Sequence, residues 1–129
     1  MDHLTIRICN LPRDFHRVHT KSVVQLLQEC GFIGGTAKLS RDAIIEVLSS
    51  DPSLIQDWLR YSGDKRTSSG WFLMENGRVG YLDTRLNASH DIRLDLGPTN
   101  DNLASACAEF IIKETNGIRD RALKNNGKF

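Results

Sequence analysis

Apolar and polar positions alternate at the start of the chain, where Leu4, Ile6 and Ile8 are interleaved with Thr5, Arg7 and Cys9. A period of two predicts a half-buried strand, which Pro12 ends. The period then lengthens. Val23, Val24, Leu27 and Cys30 fall on one face of a helix over about Lys21 to Cys30, with Leu26 at its edge. Thr20 is placed to cap that helix, and Gly31 can take the left-handed conformation that closes it. Ser40 can cap a second helix with Ala43, Ile44, Val47 and Leu48 on one stripe. Asp51-Pro52 marks a restart: the carboxylate can accept orphan amides, and proline is preorganised for a first helical turn. The third helix, about Pro52 to Ser62, is expected to bury Leu54, Ile55, Trp58 and Leu59 and to stop at Gly63.

Two apolar runs, Trp71-Phe72-Leu73-Met74-Glu75 and Arg78-Val79-Gly80-Tyr81-Leu82, flank Asn76-Gly77. That dipeptide tolerates the positive φ angles of a type I′ turn, so a tight hairpin is expected. A two-residue loop sets Glu75 opposite Arg78, Met74 opposite Val79, Leu73 opposite Gly80 and Phe72 opposite Tyr81. Phe72, Met74, Val79 and Tyr81 would then share one face, with Trp71, Leu73 and Leu82 on the other. Ile92, Leu94 and Leu96 alternate with Arg93 and Asp95 and predict a further strand before Gly97-Pro98. Asn100 or Asp101 can cap a last helix carrying Leu103, Ala106, Cys107, Phe110, Ile111 and Glu114, where small Ala104, Ala106 and Ala108 permit close packing. Gly117 is its natural stop, with a short extension from Ile118 to Leu123 as the alternative.

These elements predict an α+β fold: three or four mostly antiparallel strands in one sheet, with about four helices packed mainly on one face. The 129 residues fit a single domain over 1–129, with a basic tail at 124–129 that frays. No repeat, low-complexity segment or interdomain linker interrupts it.

Composition narrows the function classes. The chain is 40% hydrophobic and 26% charged, the profile of an ordinary globular domain. Seventeen basic residues against sixteen acidic ones give a net charge of +1, which excludes a whole-protein field for polyanions but not a local patch. The opening MDHLTIRICN has no basic stretch leading into an apolar run, so no secretory signal is expected. Apolar stretches are too short for a membrane span. Cys9, Cys30 and Cys107 are odd in number and far apart, which suggests neither a disulfide frame nor a zinc knuckle. The reducing cytoplasm is the expected compartment.

Few residues carry a chemical pattern. His16 and His19 lie near Asp14, but a metal pair would need a regular helix and a third ligand, and Pro12 predicts a loop there. Ser89-His90-Asp91 has triad residue types in an order that cannot converge, without a nucleophile elbow. Each cysteine reads as a small packing residue. Gly31, Gly34 and Gly35 lack phosphate-loop spacing. No metal or cofactor is expected, and no catalytic residue.

Binding offers two routes. Arg7, Arg13, Arg17 and Lys21, with Arg119, Arg121, Lys124 and Lys128, could neutralise phosphates if both ends met, and Trp71, Phe72 and Tyr81 could stack bases. A small nucleic-acid-binding regulator is the alternative this supports. Asp57, Asp64, Glu75, Asp83, Asp91 and Asp95 lie in or near the hairpin half. They are the candidate partner-binding residues, suited to a basic protein surface such as the cleft of a nuclease. A mixed solvated surface is the plain reading of both sets.

Trp58, Tyr61-Ser62 with Asp64-Lys65-Arg66, Gly70-Trp71-Phe72, Val79-Gly80-Tyr81 and Ala106-Cys107-Ala108-Glu109-Phe110-Ile111 form a series that resembles small bacterial immunity proteins. Those are encoded beside polymorphic or contact-dependent growth inhibition toxins. The resemblance runs from Pro52 to Glu114, about half of the chain. It implies a cytoplasmic, non-catalytic antitoxin that binds one toxin domain and blocks its active site or substrate path. It also implies that Trp58, Trp71, Tyr81 and Phe110 anchor the core, that Asp64 and Arg66 pin the loop before the hairpin, and that recognition falls to the polar surface. The near-neutral charge argues against an acidic mimic of nucleic acid.

Overall fold

The computed structural model describes residues 3–17, 21–35, 38–64, 70–73, 79–82 and 103–126. Among them the protein is mostly helical, with α1 (His3–Cys9), α2 (Leu11–Arg17), α3 (Val23–Glu29), α4 (Arg41–Ser50), α5 (Ser53–Asp64) and α6 (Leu103–Asn126). The only sheet among the described residues is an antiparallel pair, β1 (Gly70–Leu73) and β2 (Val79–Leu82). This overturns the expected three- to four-stranded sheet with four helices on one face.

The first correction lies in 4–9, which is helix and not strand. Thr5, Ile8 and Cys9 turn inward and Ile6 outward, the spacing of one helical face. Six alternating residues satisfy both periods, because Leu4 and Ile8 also lie one helical turn apart; packing of α1 against α4 decides between them. Pro12 does not end the element. It occupies the first turn of α2, where its missing N–H has no helical partner to lose. Asn10 N–H donates to the Ile6 carbonyl at 3.1 Å and Asp14 N–H to the Asn10 carbonyl at 2.9 Å, so helical bonding carries across the joint between α1 and α2.

Helix starts follow local chemistry. Ser22, not Thr20, caps α3: its Oγ accepts from Gln25 N–H at 3.1 Å, and Gln25 Oε1 accepts from Ser22 N–H at 2.8 Å. Gly31 follows the Cys30 cap with φ +89°, the left-handed position expected of it. Ser40 caps α4 as expected, and Ile44, Val47 and Leu48 are buried. Leu54, Ile55 and Trp58 of α5 are buried, while Leu59 is half-buried, and the helix passes Gly63 to end at Asp64.

α6 is the spine. Its 24 residues span roughly 36 Å and pack against α3, α4, α5 and both strands. Residues Ala104 to Ala108 are buried in succession, so its first turns are enclosed on every side, and the alanines allow that close approach. The helix does not stop at Gly117. Burial of Ile118 beyond it and the Arg119 guanidinium, 4.1 Å from the Phe32 ring centroid, offset the roughly 1 kcal/mol that an interior glycine costs.

The hairpin forms as expected but one position out of the predicted register. Gly70 pairs with Leu82, Trp71 with Tyr81, Phe72 with Gly80 and Leu73 with Val79. Trp71, Leu73 and Val79 therefore share a face, where Val79 was expected on the side opposite the other two, and Leu73 and Val79 are buried beneath α5 and α6. A Cβ on Gly80 would sit 2.5 Å from Phe72 Cζ. The ring thus lies over the bare glycine backbone, a fit that the shifted register alone provides. The expected strand at Ile92 to Leu96 lies outside the described residues.

Candidate functional site

Asp57 is the one expected partner-binding residue whose side chain falls among the described ones, and it lies in a polar cluster at the start of α5. Arg13, from α2, reaches its Oδ2 with Nη2 at 2.8 Å and with Nε at 3.0 Å. The same guanidinium donates to Ser53 Oγ at 2.9 Å and approaches Asp51 Oδ2 at 3.4 Å. Ser53 Oγ–H in turn donates to Asp51 Oδ1. The Ser53 hydroxyl, and after it the Arg13 charge, hold the Asp51 carboxyl below the usual carboxylate range. The cluster ties α2 to the first turn of α5 and gives that helix end the negative charge it favours. Ion pairs this open to solvent add little to stability, so the cluster orients the two helices more than it holds them. Asp57 is therefore already engaged within the protein.

The side chains of the other five acids lie outside the described ones. Asp64 is the last residue of α5. Glu75, Asp83, Asp91 and Asp95 lie outside the described residues, as do His19 and Ser89-His90-Asp91. His16 is on α2, where a loop was expected, with its ring 5.9 Å from that of Phe15. Among the described residues no group of three or more His, Cys, Asp or Glu side chains could hold a metal ion.

Among the described residues, those that carry the resemblance are largely interior. Trp58 and Phe110 are fully buried, and with Tyr61 they form an edge-to-face triangle. The centroids are 5.3 Å apart for Trp58–Tyr61, 5.9 Å for Trp58–Phe110 and 6.4 Å for Tyr61–Phe110. Trp71 is half-buried, with Lys113 Nζ 5.6 Å from its ring centroid. Tyr61 O–H donates to Glu114 Oε2 at 2.7 Å. Burial, and next the Glu114 charge, push the Tyr61 phenol well above its ordinary range, so it stays a donor.

Cys9 and Cys107 are buried, and Cys30 is half-buried at the end of α3. Burial pushes the Cys9 thiol up to about 12. Cys107 goes higher, by burial and then by the proximity of Cys9. A nucleophilic thiol needs the opposite shift.

Sequence reasoning missed three polar anchors: Arg13, the Tyr61–Glu114 pair, and Arg41, which bonds Ser105 Oγ and Glu109 Oε1 (3.2 Å) to join α4 to α6. The Asp51-Pro52-Ser53 start of α5 was the one local signal for any of them. In comparisons with protein-family models, curated proteins and solved structures, nothing matches the chain. No helix among the described residues is long and apolar enough to cross a membrane.

Proposed function

We propose that this chain is a cytoplasmic immunity protein that binds a cognate bacterial toxin domain, a nuclease being the class its acidic residues suit, and occludes the active site or substrate path. One observation supports this most: among the described residues, the side chains of Cys9, Cys107, Tyr61 and Ser62 are committed to holding the protein together. Cys9 and Cys107 are buried protonated thiols, Tyr61 is bonded to Glu114, and the Ser62 hydroxyl is bonded to the backbone of Leu73. That use of polar groups suits a scaffold whose surface does the recognising, as the resemblance from Pro52 to Glu114 implies. Asp57, which is shared with Arg13, and Asp64, Glu75, Asp83, Asp91 and Asp95 are the acids assigned to steering a basic partner.

The test is co-expression of the full chain with the toxin domain encoded beside its gene. A complex stable through size-exclusion chromatography, together with restored growth, is the expected result. Absence of both complex and protection overturns the proposal. Steeply salt-dependent binding of the purified chain to DNA or RNA would then favour the regulator.

A further inference from the structure

We draw no further inference here: the strongest candidate, the exposed apolar side chains Ile6, Phe15 and Val24 on α1, α2 and α3, carries nothing because the structure does not show what covers them.

Discussion

The indole Nε1–H of Trp58 donates to the main-chain carbonyl of Cys9 at 2.9 Å, inside the core. Cys9 is the last residue of α1, a position whose carbonyl has no partner within its own helix, and the indole supplies one from α5. The bond joins residues 49 positions apart and fixes the joint between α1 and α2 over the middle of α5. Trp58→Phe keeps much of the aromatic volume and removes the donor. The expected loss is about 1–3 kcal/mol of unfolding free energy, the cost of a buried carbonyl left short of a partner. Urea denaturation followed by circular dichroism measures it, and an unchanged midpoint would remove the bond from the account.

Ser62 holds the hairpin to α5 through a single hydroxyl. Its Oγ accepts from Leu73 N–H at 2.7 Å and donates to the Leu73 carbonyl at 3.1 Å, which lets one side chain stand in for a neighbouring strand. Ser62→Ala leaves both main-chain groups of Leu73 without this buried partner. A loss of about 2 kcal/mol is expected, together with faster hydrogen exchange at the Leu73 amide. If exchange at Leu73 matches that of the parent protein, the hairpin is held by its apolar face alone.

The starts of α4 and α5 were legible in the sequence because caps are local: Ser40 and Asp51 each act on amides within a few residues, whereas α3 starts at Ser22 and not at the expected Thr20. Gly31 was legible for the same reason, since a positive φ is a property of one position. What was missed depends on distant partners. Residues 4–9 satisfy either period, and only packing against α4 makes them helix. Asn76-Gly77 pointed to a two-residue loop, but the fit of the Phe72 ring over Gly80 belongs to the register one position away. The candidate site was legible mainly as a list of acids. The bond from Arg13 to Asp57 spans 44 positions, and no spacing along the chain announces it.

Two glycines should respond to the same substitution with opposite signs. Gly117 lies within α6, and a Cβ added there meets nothing within 4 Å. Gly117→Ala should therefore stabilise the protein by about 0.5–1 kcal/mol, by removing backbone freedom from the unfolded chain and improving helix propensity. Gly31 also has open space around its Cβ position, but its φ is +89°. Gly31→Ala should cost about 1–2 kcal/mol in backbone strain. Thermal melts of the two variants against the parent protein decide the matter. If both shift the same way, conformation at these positions is not what sets their energetics.

The three thiols should divide into two classes. A thiol reagent attacks the thiolate, and burial keeps Cys9 and Cys107 protonated, whereas Cys30 is half-buried with its Sγ 3.4 Å from the Leu27 carbonyl. At about pH 8, a chromogenic disulfide reagent should label Cys30 first and reach the other two only as the protein opens, so denaturant accelerates their labelling. The same shifts set an alkaline limit to stability. Below the ordinary thiol value of 9.0, folded and unfolded chains are equally protonated at Cys9 and the fold loses nothing. Above it the unfolded chain releases the proton while the folded chain retains it, so stability falls as pH rises from 9.0 toward about 12. Cys9→Ala should flatten that decline while lowering stability at neutral pH through lost packing. Equal, fast labelling of all three thiols in the native protein would show that the core around α1 and α6 admits solvent freely.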